Sequence, residues 1–253
     1  MNQNLQALIF DVDGTLADTE RQGHRVAFNQ AFAANHLDWH WSEDLYGDLL
    51  QVAGGKERIR YYLREFQGPL QTELQNSQRL DSFVAQLHQA KTAKYQQLLA
   101  EGSIPLRPGV QRLIQSARSQ GIKLAIATTS AVPNVMALLE QSLDPGWFAA
   151  IAAGDVVAQK KPAPDIYHYV LDQLNLLPQN CLVIEDSQQG LQAATQAGLT
   201  TIITVNRYTQ NQDFTSAALV LNHLGEPDQP CSVLSGKSQK INYLTVEDLA
   251  KLL

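Results

Sequence analysis

Cysteine is nearly absent from this chain of 253 residues, where only Cys181 and Cys231 occur. Two thiols make no disulfide framework, and a reducing compartment suits them. No apolar run approaches the roughly 18 residues of a membrane span, and no positively charged segment followed by an apolar stretch opens the sequence. Neither secretion nor membrane insertion is expected, and the cytoplasm is the expected location. Positive charge is also short: 19 Lys and Arg stand against 25 Asp and Glu, a net charge of −6. Phosphate backbones need a basic surface, so nucleic acid is not an expected partner. An anionic small substrate would depend on a local cluster of positive groups or on a metal. Disorder is excluded as well, because 44% of the residues are hydrophobic, ordinary for a folded protein.

What is present begins with Leu8-Ile9-Phe10-Asp11-Val12-Asp13-Gly14-Thr15. An apolar run without alternation reads as a strand buried on both faces, as in parallel sheets. Side chains repeat every two residues along a strand, so Asp11 and Asp13 can point the same way at its end. Two carboxylates so placed repel unless a cation lies between them or one is protonated. Residues 18–100 then carry no strand signal. Helical patterns follow Asp18-Thr19-Glu20, run from Ser42 through Leu50, start at Gly54-Gly55 and end at Gly68-Pro69, and extend from Leu74 to Leu99. From Pro105 strands and helices alternate: Lys123–Thr128, Phe148–Ala153, Cys181–Ile184, Thr201–Val205 and Ala218–Leu221 read as strands, the last of these as the final one. Residues 226–240 read as a loop and Thr245–Leu253 as a short helix. Alternation of this kind implies βαβ units on a parallel sheet, with sites beyond the carboxyl ends of the strands. Those ends carry Asp11 and Asp13, Thr128, and Glu185-Asp186.

Four signals thus stand in order: Asp11-Val12-Asp13-Gly14-Thr15; Thr128 in Ala127-Thr128-Thr129-Ser130; Lys161 in Lys-Pro-Ala-Pro; and Glu185-Asp186 before Ser187. Singly, each has a plainer reading: Asp11 or Asp186 as a turn or helix cap, Thr128 as a strand-end hydroxyl, Lys161 as a solvated charge. Together they resemble the motifs of the haloacid dehalogenase superfamily. That resemblance implies an α/β, Rossmann-like core with a parallel sheet over residues 1–17 and 105–253, and an inserted all-helical cap over 18–104. It implies Asp11 as a nucleophile that forms an aspartyl-phosphate, with Asp13 protonating the leaving oxygen and then activating water. Thr128, Ser130 and Lys161 would hold the transferring phosphoryl oxygens. Attack on a phosphate dianion is repulsive, and Mg²⁺ held by Asp11, the Asp13 main-chain carbonyl and Asp186 would screen it, with Glu185 in an outer position.

The helical insertion looks like the cap of the phosphoglucomutase-like subgroup, which closes over small soluble substrates. Trp39-His-Trp41, Leu45-Tyr46-Gly-Asp-Leu-Leu50, Gly54-Gly55-Lys56-Glu57-Arg58-Ile59 and Asp213-Phe-Thr-Ser-Ala are similar to segments of the CbbY-like sugar-phosphate phosphatases. Their implied substrate is xylulose 1,5-bisphosphate, an inhibitor of the CO₂-fixing carboxylase. Lys56 and Arg58, at a glycine-led helix start, would anchor its second phosphate. Asp18 and Tyr46 would bond sugar hydroxyls between the two ends. The plainer reading of Lys56 and Arg58 is a solvated helix face with Glu57, and Gly54-Gly55 favours the anion-binding one. Trp39 and Trp41 read as cap core, Lys160 as surface, Cys181 as a buried strand residue. His24 reads as core or surface, although the mutase branch uses a nearby cap histidine. A β-phosphoglucomutase, a phosphoglycolate-type phosphatase and a non-catalytic phosphometabolite sensor are the alternatives. A monomer is expected.

Overall fold

The computed structural model describes residues 5–52, 54–66, 77–236 and 241–253. The expected helix end at Gly68-Pro69 and helix start at Leu74 lie outside them. Two compact units result, one of residues up to 18 with 104–253, the other of residues 19–103.

In the first unit, β1 (Ala7–Phe10) is buried at every position. Leu8, Ile9 and Phe10, so buried, contribute about 1.5–3 kcal/mol each, which favours a central place in the sheet. The sheet has seven strands among the described residues, in the order β3-β2-β1-β4-β5-β6-β7. Strands β2 (Lys123–Ala127) and β4 (Cys181–Glu185) flank β1 in parallel, with Phe10 opposite both Ile126 and Ile184. Outward lie β3 (Phe148–Ala152) on one side and β5 (Thr200–Thr204) and β6 (Leu219–Leu221) on the other, all parallel. The register brings the carboxyl ends of β1, β2 and β4 level, and the chain order reverses at β1.

Helix α7 (Asp165–Leu174) buries Ile166, Tyr167, Val170, Leu171 and Leu174 against Ala7, Ile9, Ala125 and Val183 of the sheet. Helix α8 (Gln188–Gln196) starts at Ser187, whose side chain accepts the Gly190 N–H. Helices α5 (Val110–Ser119), α6 (Val132–Ser142) and α9 (Val246–Ala250) complete the unit, α9 opening on a Thr245/Asp248 capping box.

Two features depart from expectation. Residues 226–240 are not a loop throughout, because Val233–Gly236 form β7, antiparallel to β6, so Ala218–Leu221 does not hold the last strand. Only Val233 of its four residues is partly buried, so the strand has no alternating pattern to reveal it. Helix α6 was also not anticipated: its start at Ala131 lacks a side-chain cap, and only Val135, Leu138 and Leu139 are buried.

In the second unit all described elements are helical. A π-helical turn (Thr19–His24) runs into α1 (Arg25–Ala34), followed by α2 (Glu43–Leu49), α3 (Gly55–Glu65) and α4 (Ser77–Ala100). Ser42 caps α2 by accepting the Leu45 N–H, as its position predicts. The core is aromatic: Trp41 is fully buried and stands 4.5 Å from Phe28, 4.9 Å from Phe32 and 5.3 Å from Tyr62, ring centre to ring centre. Trp39 packs edge-on to Phe32, Tyr62 and Phe83. No described helix is long and apolar enough to cross a membrane.

Candidate active site

At the carboxyl end of β1, Asp11 is buried and its N–H donates to Ile184 O at 3.0 Å, tying the residue to β4. Glu185 ends β4, and Asp186 follows it. Both are buried. Lys161 reaches this group from the segment before α7: its ammonium donates to Asp11 Oδ1 at 2.8 Å, Glu185 Oε1 at 2.5 Å and Ala127 O at 2.8 Å. Three donors thus find three acceptors, two of them carboxyls, so Lys161 is a buried and fully bonded cation and not a solvated one. Lys160 beside it is exposed and pairs with Asp155.

Glu185 is the most heavily bonded of the carboxylates. Tyr167 Oη donates to its Oε1 at 3.1 Å, and the Asp186 N–H, the Ser187 N–H and Ser187 Oγ donate to its Oε2. Gly190 is required here, because a Cβ at that position would overlap the Glu185 carboxylate. Burial pushes the Glu185 carboxyl up, but Lys161 and the N–H donors outweigh it and hold it below the ordinary value. Asp11 behaves oppositely. Burial, with Glu185 and Asp13 adding to it, overcomes the pull of Lys161 and raises it from 3.8 to about 8. Burial and then the Glu185 and Asp11 charges raise Asp186 well above the usual range. For Lys161, burial opposes the charge, but Asp11 and Glu185 prevail and lift it well above 10.5.

Asp13, two residues on, accepts a hydrogen bond from Ser130 Oγ. Thr128 closes β2 with its N–H on Ala152 O at 3.0 Å, and its Oγ1 accepts the Ser130 N–H at 3.2 Å. The structure therefore brings Asp11, Lys161, Glu185 and Asp186 into one buried cluster, and joins Asp13, Ser130 and Thr128 in a second chain of bonds.

Asp11, Glu185 and Asp186 each offer an oxygen within 4.8 Å of the others. Lys161 is the ammonium shared by Asp11 and Glu185, and two of the three carboxyls are pushed toward protonation. A hard divalent cation with oxygen preference fits this donor set and would relieve that repulsion. Asp11 and Asp186 are the two whose carboxyls are pushed up, while Glu185 already accepts five hydrogen bonds.

Three residues outside the motifs also serve the site. Tyr167 bonds Glu185, Asn206 Nδ2 donates to Asp186 Oδ2 at 2.7 Å, and Arg107 reaches Gly14 O. Tyr167 lies six residues beyond Lys161 on an otherwise apolar helix face, a signal that periodicity alone assigns to the core. Cys181 is fully buried on β4, and burial pushes its thiol up to about 11, so it is no nucleophile at neutral pH.

Asp18 is the last residue before the chain enters the helical unit. Within that unit, Lys56 is exposed in the first turn of α3. Arg58 is instead buried and donates to Leu49 O at 3.2 Å, Val52 O at 3.3 Å and Tyr46 Oη at 2.9 Å. Tyr46 Oη in turn donates to Glu20 Oε2 at 2.5 Å. His24 stacks on Tyr95 at 3.9 Å, and its Nδ1 stands 2.8 Å from Lys91 Nζ.

The sequence profile of the haloacid dehalogenase-like hydrolases matches residues 5–198. The chain belongs to this family. Among the haloacid dehalogenase-like hydrolases it is similar to the CbbY protein of Cupriavidus necator, 47% identical over 89% of this chain and 88% of that one. It is also similar to the crystal structure of Rhodobacter sphaeroides CbbY with phosphate, at 44% identity, with a TM-score of 0.70 over 87% of this chain and 94% of that one. An Asp→Asn variant of that bacterial protein has been crystallised with xylulose 1,5-bisphosphate, at 43% identity and a TM-score of 0.70 over the same shares. Within the family this chain is a phosphatase.

Proposed function

We propose that the protein is a Mg²⁺-dependent sugar-phosphate phosphatase that works through an aspartyl-phosphate on Asp11, with xylulose 1,5-bisphosphate as its substrate. The observation that carries the chemistry is the buried Asp11–Lys161–Glu185–Asp186 cluster at the switch point of the sheet. The binding of that bisphosphate by a CbbY relative supports the choice of substrate.

When bound, Mg²⁺ supplies positive charge that screens the approach of a carboxylate to a phosphate dianion. Asp11 and Asp186 would hold it, with the Asp13 main-chain carbonyl, and Glu185 would serve from an outer position. Asp11 Oδ attacks phosphorus, the ester P–O bond breaks, and the sugar alkoxide takes its proton from Asp13. Water, deprotonated by Asp13, then attacks the same phosphorus, releases inorganic phosphate and restores the Asp11 carboxylate. Ser130, bonded to Asp13, holds that carboxyl in place. Lys161 and Thr128 stabilise charge on the phosphoryl oxygens, and Lys161 also keeps Asp11 in a single rotamer through its 2.8 Å bond.

On the helical unit, Lys56 is the exposed cation at a glycine-led helix start and is proposed to anchor the second phosphate. Asp18 is proposed to bond a sugar hydroxyl, whereas Tyr46, expected to do the same, is fully buried with its Oη held between Arg58 and Glu20 and is proposed to support the helical unit from within. Arg58 already bonds two carbonyls and Tyr46, so its contribution is to fix the Tyr46 hydroxyl and add charge beside it.

The test is phosphate release from a panel of sugar mono- and bisphosphates, with Mg²⁺ and with chelator. Xylulose 1,5-bisphosphate should be turned over fastest, ribulose 1,5-bisphosphate poorly, and chelator should stop both. Isomerised sugar phosphate without net phosphate release would point to a mutase, and binding without turnover to a sensor.

A further inference from the structure

Asn206 follows β5 and belongs to none of the four motifs, yet its side chain is fixed at both ends. Its Oδ1 accepts the Tyr208 N–H at 2.8 Å, while its main-chain N–H donates to Thr209 Oγ1 at 3.0 Å and fixes the backbone that carries the side chain. An amide oxygen engaged by a donor leaves the amino group at the other end, so the orientation of the carboxamide is determined by its bonds. That amino group donates to Asp186 Oδ2 at 2.7 Å. A neutral donor orients the carboxylate without adding a charge at that oxygen, while the Arg107 and Lys161 charges act on it from nearby.

Gly14 closes over this pair. A Cβ on Gly14 would lie 2.6 Å from Asn206 Nδ2 and 2.8 Å from Asp186 Cγ, and the residue has φ +86°. Both constraints demand glycine. Arg107 joins the same parts from the other side. Its Nη1 donates to Gly14 O and to Thr204 O at 2.8 Å, and its Nη2 donates to Val205 O at 2.6 Å and Asn222 O at 2.7 Å. One planar guanidinium therefore ties the peptide behind the Asp11–Asp13 strand end to the peptide that leads into Asn206.

We propose that Asn206 and Arg107 form a positioning brace for Asp186, holding its Oδ2 so that the remaining oxygen faces a divalent cation. Both are proposed as positioning residues that act through Asp186. The proposal rests on Asp186 being a ligand of that cation, and its test separates the two ideas. Outer-shell partners of metal ligands are worth about 10–100-fold in metal affinity.

Mg²⁺ binding to the full chain is measured by calorimetry for the wild type and for the Asn206→Ala, Arg107→Lys and Asp186→Asn variants, beside melting curves without metal. Asn206→Ala should weaken Mg²⁺ binding about 10–100-fold, and saturating Mg²⁺ should restore its kcat. A merely structural loss would not be restored by metal. Arg107→Lys keeps the charge but loses the fork and should weaken binding in the same direction. If that variant does not fold, Asn206→Ala decides alone. Wild-type Mg²⁺ affinity in Asn206→Ala, with Asp186→Asn impaired, overturns the brace and leaves the metal site standing. Wild-type affinity in Asp186→Asn removes the metal reading and the brace with it.

Discussion

In the α/β unit, Lys161 is buried against two carboxylates, while in the helical unit Arg58 is buried against two main-chain carbonyls and a phenol. The first arrangement leaves the carboxyls in excess: Asp186 is raised well above its ordinary value despite the Asn206 amide and the Arg107 and Lys161 charges, and Asp11 is raised to about 8 despite its ammonium partner. The second satisfies donors with acceptors and leaves Tyr46 Oη polarised between Arg58 and Glu20. A buried cation beside unrelieved carboxylates marks a site for chemistry. A buried cation whose donors close on carbonyls fixes loop geometry, here the turn from α2 into α3. The contrast separates two roles that the sequence places under one heading of charged motif residues.

The largest effect should come from Asp11, the proposed nucleophile. Asp11→Asn should cut Mg²⁺-dependent phosphate release by about three orders of magnitude or more, with circular dichroism and melting behaviour preserved. Lys161→Met comes next, because it unpairs Asp11 and Glu185 together. Activity should fall about 10²–10³-fold, and breaking a buried pair should cost about 3–5 kcal/mol in denaturant unfolding. Arg58→Met should cost about 1–3 kcal/mol through the orphaned Leu49 and Val52 carbonyls. Lys56→Ala, in contrast, should leave stability within about 0.5 kcal/mol and raise KM for bisphosphates more than for monophosphates. An Arg58→Met variant of full stability and raised KM would erase the distinction between the regions.

The two units should also answer pH with opposite sign, read by hydrogen exchange resolved over each. In the metal-free protein, Asp11 and Asp186 have folded pKa values above their unfolded ones. The folded state then binds more protons, so α/β stability falls as pH rises from about 6.5, above which Glu185 is ionised and the lowered His223 is neutral in both states, toward about 8. In the helical unit His24 is held well below 6.5 by burial and then by the Lys91 charge, and His88 is lowered by the same two causes. There the unfolded state binds more protons, and stability is lost as pH falls below 6.5. Added Mg²⁺ should flatten only the α/β trend.

The polar carboxyl ends of β1, β2 and β4 were legible because each is local: an apolar strand followed at once by its polar residue. Lys161 was legible from its Pro-rich surroundings and the order of the motifs. Tyr167, Asn206 and Arg107 were not, because each acts through a bond spanning from 18 to more than 90 positions in sequence. Nor does the spacing Lys56-Glu57-Arg58 distinguish an exposed cation from a buried one, since helical phase alone turns Arg58 inward with Ile59 and Tyr62. Strand β7 escaped because an exposed edge strand needs no apolar face.

The central claim is covalent chemistry at Asp11, and acid-quenched single turnover tests it most directly. The wild-type enzyme is mixed with Mg²⁺ and radiolabelled xylulose 1,5-bisphosphate, quenched, digested and mapped. Label on the peptide containing Asp11, absent in Asp11→Asn, is the predicted result. Phosphate released at the full rate with no labelled Asp11 peptide at any quench time would contradict the account.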